Sequence, residues 1–536
     1  MIDPYPTLRV ERPLALVWPD LPVEALSPER LQTFLQQQRW YGHKAEKAAE
    51  ICVVARLPLV RADFEALLTV LEVRLPHQRT RYLLPLSMMP ADHAASLPKA
   101  AILCHVQAAD GAAALCDAVY DARFRRVLVN ALTAEPSTAS PPPASGGPGR
   151  DRASIEGWQW QARHFGESST WAWGDLDSQL LAAEQSNTSF VFDEQVILKL
   201  FRRLEVGENP DTEIGAYLSR LRTDVRVPAL VATWVLTDEQ KRPHVAAMLQ
   251  RFVPNQGNAW TFAVAAAEAY FEACDATVLR SFCDAMHELG AITRQLHQAL
   301  AQPTELEAFR PEAIEPQDLE HWFAQLSSLI TRSLNDAAAH LQYDHLASEL
   351  ARDLRTFLAS APALQARLTP LAAVLAGRAG MKIRHHGDYH LGQVLRTQDS
   401  SFVVIDFEGE PLRPLQERRA KHCPLRDVAG MLRSLSYAAA VAKIKRRRAG
   451  HEVAEDLTKT WEKASQKAFL DAYKPPSKPT DVEILPASPQ AVDALVELFV
   501  VEKACYELCY ELNHRPEWVS VPLAGLLAWL ATPTPT

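Results

Sequence analysis

Apolar positions along this chain change period, and each change marks an element. Pro28 to Gln38 carries Leu31, Phe34 and Leu35 at helical spacing. Apolar stretches at Ile51 to Leu57, Ala66 to Leu75 and Tyr82 to Leu86 predict strands, and Asp117 to Leu132 predicts an amphipathic helix. Trp158, Trp160, Trp171 and Trp173 alternate in two pairs with polar or small residues, which predicts strands with one buried face rather than sugar-stacking surfaces. Phe190-Val191-Phe192, a turn at Asp193-Glu194 and Gln195 to Leu200 read as a hairpin. Asn209-Pro210-Asp211 is a helix start, and Ile214, Tyr217, Leu218 and Leu221 continue it. Strands fit Ala229 to Thr237 and Pro243 to Phe252. Beyond them the pattern is mainly helical, over Thr277 to Leu300, Pro316 to Leu341, Leu346 to Leu358 and Ala491 to Leu512. One short strand, Phe402 to Ile405, interrupts it.

Two stretches cannot pack. Glu135 to Arg152 is dense in Pro, Ser, Gly and Ala and predicts a flexible linker, so the part before it reads as a separate unit or cap; Lys474 to Pro489 reads as a loop. No repeat of 20–50 residues appears, which excludes solenoids.

Composition narrows the function classes. The 536 residues carry a formal net charge of −9, which argues against a general binder of nucleic acid or membrane surfaces. The basic run Lys443 to Arg448 accordingly reads as a solvated helix end. Eight cysteines form no C-x-x-C pair; Cys505 and Cys509 read as buried thiols. The start, Met-Ile-Asp-Pro-Tyr-Pro, lacks a signal-peptide pattern, and no charge-free apolar run of eighteen residues occurs, so a cytoplasmic protein is expected. The cluster Arg39-Trp40-Tyr41-Gly42-His43-Lys44 reads as a Trp packed beneath its domain.

The chemistry concentrates in His385-His386-Gly387-Asp388-Tyr389-His390-Leu391-Gly392-Gln393 and in Ile405-Asp406-Phe407-Glu408-Gly409-Glu410-Pro411. A hairpin between them brings Asp388, Gln393 and Asp406 to one mouth. A carboxylate that takes a hydroxyl proton and oxygen donors that hold Mg²⁺ are what phosphoryl transfer requires. The order resembles the protein-kinase motifs H-R-D-x-x-x-x-N and D-F-G, with Gln in place of Asn. Lys199 on a strand, followed by Glu213 on a helix, repeats the kinase pair that holds the phosphates. The stretch Asn187-Thr188-Ser189 is expected to cover them, and the connector from Phe252 and Val253 to Asn258 lies where an adenine would sit.

With Glu184-Gln185-Ser186-Asn187-Thr188-Ser189, Ile197 to Leu218, Arg418 to Met431 and Glu502 to Trp518 added, the chain resembles the maltokinases, relatives of the aminoglycoside phosphotransferases. The likeness runs from about Gln38 to near the C-terminus. It implies an α+β, bilobal, protein-kinase-like fold: an N-terminal α/β cap (1–134), the linker (135–152), a β-rich nucleotide-binding lobe (153–253) and a helical lobe (254–536). It also implies ATP and Mg²⁺ as cofactors, and phosphorylation of maltose at the anomeric hydroxyl between trehalose and α-glucan. Asp388 would be the catalytic base, Gln393 and Asp406 the metal ligands, and His386 a support; Glu408 and Glu410 would serve metal or sugar. Sugar-binding candidates are Lys421, Arg426, Tyr506, Glu507 and Arg515. Many relatives are fused to, or associate with, a trehalose synthase; no glycosidase-like stretch precedes residue 1, so that partner is expected as a separate chain. A same-fold kinase of another sugar, such as glucosamine, and a non-catalytic partner of trehalose synthase remain alternatives.

Overall fold

Leucine- and valine-rich runs within the first 117 residues pair into one sheet. The computed structural model describes residues 7–14, 27–44, 46, 48–61, 64–133, 157–165, 176–181, 186–221, 225–342, 347–375, 377, 380–411, 413–474 and 481–532. The linker stretch 135–152, Trp171, Trp173, Glu184 and Gln185 lie outside these. The chain forms two compact units, residues 1–220 with 228–253, and residues 221–227 with 254–536.

In the first unit, β1 (Thr7–Arg9), β2 (Glu50–Arg61), β3 (Phe64–Arg74), β4 (Arg79–Pro90), β5 (Ile102–Ala108) and β6 (Gly111–Asp117) make a sheet of order β1-β5-β6-β4-β3-β2. A second sheet contains β7 (Gln159–His164), β8 (Ser178–Leu180), β9 (Asn187–Phe192) and β10 (Val196–Phe201). The short β11 (Arg203–Leu204) leaves β10 and pairs with β4 of the first sheet. β12 (Leu230–Thr237) and β13 (Pro243–Arg251) complete the second, in the order β7-β12-β13-β10-β9-β8. Asp193 and Glu194 join β9 to β10 with both backbones left-handed, at φ 41° and 53°. Two such residues give the turn whose twist matches a hairpin.

The two sheets share a core. Leu57, Leu68 and Val70 of the first, Phe124, Leu128 and Leu132 of the helix Ala122–Thr133, and Phe190, Leu198, Leu200 and Trp234 of the second form one buried cluster. Each sheet has an apolar face that must be covered, and this one cluster, with the helix Ala122–Thr133 in it, covers both. The cap expected at 1–134 and the β-rich lobe expected at 153–253 therefore form one compact unit. The helix predicted from Asp117 begins at Ala122, because Asp117 ends β6 and caps a single turn through Val119.

The second unit is mainly helical: Ala259–Ala273, Ala276–Leu300, Pro316–His340, Leu425–Arg448, Glu455–Tyr473 and Pro489–His514 are its long helices. Small strands thread between them: β14 (Asn255–Asn258), the pair β15 (Glu312–Ala313) and β16 (Met381–Lys382), and the hairpin β17 (Val394–Thr397) with β18 (Phe402–Val404). The last long helix starts with Ser488 accepting from the N–H of Ala491 and Pro489 at its first position. Cys505 and Cys509 are buried in it as free thiols. At the basic run, Lys443, Lys445, Arg446 and Arg447 pair with Glu455, Glu268, Glu272 and Glu452. Among the described residues, no helix is long and apolar enough to cross a membrane.

Candidate functional site

The loop bearing Asp388 is fixed by a buried carboxylate. Asp427, in the first turn of the helix Leu425–Arg448, accepts the N–H of His386 at 2.7 Å and of Gly387 at 2.9 Å. The ring of His297 donates to the same carboxylate at 3.1 Å and accepts from the Tyr473 hydroxyl at 2.8 Å. Burial would raise the Asp427 carboxyl, but the charge of the His385 ring and the bond from His297 outweigh it and hold it well below the usual range. Gly387 turns the loop at φ 83°, and a Cβ there would stand 3.2 Å from the Cα of Gly409. His386 accepts from the N–H of Asp388 and donates to the carbonyl of Ile405, 2.9 Å away, so it ties the two motifs together. The Tyr389 hydroxyl meets Thr293 at 2.8 Å.

The hairpin β17–β18 delivers the other two groups. Gln393 donates to the Asp406 carboxylate at 2.8 Å, and the N–H of Ile405 bonds the carbonyl of Gln393. Asp406 itself is left-handed, at φ 69°. A non-glycine residue pays roughly 1–3 kcal/mol for such a backbone, and this kind of strain gathers at working sites. An amide oxygen and a carboxylate are hard donors, the chemistry that Mg²⁺ selects.

Beside Asp388 stands a group that the sequence reading passed over. Lys503 Nζ lies 3.8 Å from Asp388 and 2.7 Å from Glu410. Arg413 bonds the other oxygen of Glu410 at 2.5 Å. Burial pushes the Glu410 carboxyl up, but Lys503 and Arg413 more than reverse this and bring it down to about 2. Burial alone would lower the Lys503 ammonium; Glu410 and Asp388 raise it instead, so it stays charged. His390 is 3.8 Å from the second oxygen of Asp388. The Glu408 carbonyl accepts from Arg418, which also bonds the carbonyl of Arg413 and shapes this turn.

The expected sugar-binding residues separate. The Tyr506 ring lies 5.2 Å from Lys503 Nζ, next to Asp388's neighbour. Arg426 bonds Glu502 at 2.7 Å and the His422 ring, and Glu507 bonds buried Arg433 at 2.8 Å. Arg515 bonds Glu511 at 2.8 Å. Lys421 spends all three N–H donors on the carbonyls of Glu307 and Arg310 and on Glu312. It ties loops together.

In the first unit, Lys199 of β10 is buried, and its ammonium stands 3.2 Å from Asp211. Asp211 lies in the first turn of the helix Pro210–Arg220, and so does Glu213, the expected partner. Antiparallel register puts Lys199 opposite Ser189 and Phe201 opposite Asn187, so Asn187, Ser189 and Lys199 share one face. Thr188 alternates onto the opposite, core face with Leu200, so its side chain does not join Lys199 as expected. Phe252 and Val253 are the unit's last, half-buried residues.

Lys503, Asp427, His297 and Asp211 were all visible as letters. Only a lysine within the partly apolar helix Pro489–His514, and an Asp in the first turn of another, gave a signal; His297 shows none outside the fold.

Residues 34–121 match the family model described as the maltokinase N-terminal cap domain. A glucosamine kinase of Streptacidiphilus jiangxiensis is 26% identical over 347 residues, 64% of this chain and 71% of that protein. One of Mycolicibacterium smegmatis is 28% identical over 363 residues, 66% of this chain and 80% of that protein. A solved glucosamine kinase, in complex with glucosamine, ADP and inorganic phosphate, superposes with a TM-score of 0.60 at 21% identity, covering 93% of this chain and 99% of that one. That likeness establishes the α+β, bilobal kinase-like fold. The chain thus combines a stretch similar to the maltokinase N-terminal cap domain with the fold of a solved glucosamine kinase.

Proposed function

We propose that this chain transfers the γ-phosphoryl group of ATP to the anomeric hydroxyl of maltose, giving maltose 1-phosphate and ADP. The coarser part, a sugar kinase of this fold, is supported by the cap match and by the glucosamine kinase relatives. Asp388 takes or orients the proton of the attacking hydroxyl, and the bonds from Asp427 and His386 fix its backbone. Lys199, paired with Asp211 on the face that carries Asn187 and Ser189, contacts the phosphates. Gln393 and Asp406 would hold Mg²⁺, which would supply charge to offset that of the phosphates. Phe252 and Val253 would flank the adenine. Maltose would be supplied by a trehalose synthase, and its phosphate would feed α-glucan synthesis.

One observation carries the choice of sugar. Three carboxylates of the second unit are already matched by cations: Glu410 by Lys503 and Arg413, Glu502 by Arg426, and Glu507 by Arg433. The ammonium of Lys503 is itself next to Asp388. A cationic amino sugar would meet a like charge there, whereas neutral maltose offers hydroxyls to Lys503 and a ring face to Tyr506. The names of the relatives favour the second reading, glucosamine, and one assay separates them. ADP release is measured with Mg-ATP and maltose, glucose, trehalose or glucosamine. Release with maltose, and a product phosphorylated at the anomeric carbon, supports the proposal; release with glucosamine alone overturns it.

A further inference from the structure

Arg202 is fully buried in the first unit, with 1% of its side chain exposed. Its Nη2 bonds Asp117 at 2.7 Å, at the end of β6 in the first sheet. Its Nη1 reaches the other Asp117 oxygen at 3.4 Å and the carbonyl of Leu83 in β4 at 3.5 Å, and its own carbonyl accepts the N–H of Leu83 at 2.7 Å. The ring of Trp40 packs 4.8 Å from the guanidinium. All four groups belong to the part that carries the cap match. The remaining donor, Nε, points the other way and bonds Thr188 Oγ1 at 2.8 Å.

Thr188 is the one residue of Asn187-Thr188-Ser189 whose side chain faces the core, and its neighbours on either side face with Lys199. A strand residue held by its inward side chain sets the rotation and height of the two that point outward. Burying a guanidinium is costly unless its donors are met in fixed geometry, and here a rigid planar fork spans both sheets.

We propose that Arg202 is a positioning residue for the nucleotide: it anchors Thr188 to Asp117 and Trp40, and thereby makes the cap a working part of the phosphate site. This rests on the reading that Asn187 and Ser189 face the ATP phosphates. It assigns the first sheet a role that its fold alone would not, since a cap serving only as cover would have no reason to bury an ion pair against that strand.

The test compares dissociation constants for ATP, Michaelis constants for ATP and for maltose, and melting temperatures across a set of variants of the full chain. Thr188→Val keeps the shape and removes only the acceptor of Arg202. It should weaken ATP about ten-fold, the size of one hydrogen bond to a charged group, and leave the maltose Michaelis constant close to wild type, while the stranded Nε donor lowers the melting temperature by a few degrees. Asn187→Ala and Ser189→Ala are run beside it. If they weaken ATP and Thr188→Val does not, the anchor is overturned and the phosphate reading stands. If none of the three changes ATP binding, that reading falls and the anchor falls with it. Arg202→Met leaves Asp117 unpaired and can fail to fold, so the double variant Arg202→Met/Asp117→Leu removes both charges together. Should that pair fold and bind ATP as tightly as wild type, Arg202 is structural only and the proposal is overturned. An equal loss for ATP and maltose in Thr188→Val overturns it in the same way.

Discussion

The carboxylate of Asp427 lies 2.7 Å from the backbone nitrogen of His386, and its other oxygen takes the next N–H, of Gly387. Two consecutive donors on one buried carboxylate leave the residue that follows, Asp388, little rotational freedom. Asp427 holds the loop from below, and the ring of His297 keeps Asp427 in turn from rotating. If Asp388 is the base proposed above, a misplacement of about 1 Å would cost on the order of 10² in rate, and Asp427 would support the chemistry without touching a substrate.

Asp427→Asn tests that support. The amide offers one oxygen where the loop has two N–H donors, and its NH₂ faces one of them. We expect kcat to fall about 10²-fold with the Michaelis constant for ATP changed far less. Asp427→Ala should in addition lower stability by about 3 kcal/mol, because it strands a buried His297 donor and two backbone N–H groups. Steady-state kinetics and thermal melts separate the two effects. An Asn variant with wild-type kcat would show that the loop holds itself.

Asp388→Asn removes the proton acceptor and keeps the shape. A positioned base contributes about 10²–10⁴-fold, and kcat should fall by that factor with the melting temperature preserved. Near wild-type turnover in the purified variant would end the assignment of Asp388 as base.

Gly430, in the helix Leu425–Arg448, passes under the loop so closely that a Cβ would stand 2.6 Å from the carbonyl of Tyr389. Neither backbone can yield cheaply. Gly430→Ala should therefore push Tyr389, and Asp388 beside it, away from the helix. We expect a kcat reduced about 10²-fold in a protein that still folds and still binds ATP. Equal losses in nucleotide affinity and turnover would point to general unfolding of the unit instead.

These relationships mark where the sequence stopped being legible. Periodicity carried the hairpin β17–β18, so Gln393 and Asp406 could be placed at one mouth before any coordinates, and they are hydrogen-bonded. Motif spacing likewise singled out Asp388 and Lys199 as candidates. Partners reached across long sequence separations left no such trace: Lys503 lies far along the chain from Asp388, and nothing in its apolar helix says which acid it faces. Lys421 looked as available as Lys503, yet local carbonyls consume it. At Lys199 the spacing pointed to Glu213 and did not single out Asp211, which shares its helical turn and stands 3.2 Å from the ammonium. The shared core of cap and β-rich lobe was hidden for another reason. The stretch 135–152 reads as a separator by composition, and composition does not say that β11 crosses to pair with β4.

Three histidines of the second unit predict how the fold responds to acid. Burial lowers the His385 ring from 6.5 to about 4, the nearby charge of Asp427 only partly opposing it. His422 is pushed well below its usual value for the same reason, with Arg426 adding to the effect, and burial lowers His390 as well. In the unfolded chain these rings take up protons near pH 6.5; in the folded chain they do so only at lower pH. Their contribution to stability is therefore complete above about pH 6.5 and is lost as pH falls toward 4, about 3 kcal/mol from His385 alone. Glu410 acts in the same direction over a lower window. Its carboxyl is depressed from 4.5 to about 2, so its share is present above about pH 4.5 and drains away below it. Melting temperatures measured from pH 8 to pH 3 should hold level to about 6.5, then decline by several degrees before pH 4.5. Glu410→Gln should remove only the lower part of the decline, and His385→Gln should flatten the upper part. A wild-type melting temperature unchanged between pH 6.5 and 4.5 would mean that these rings take up protons in the fold as readily as in water, and that the loop before Asp388 is open to solvent.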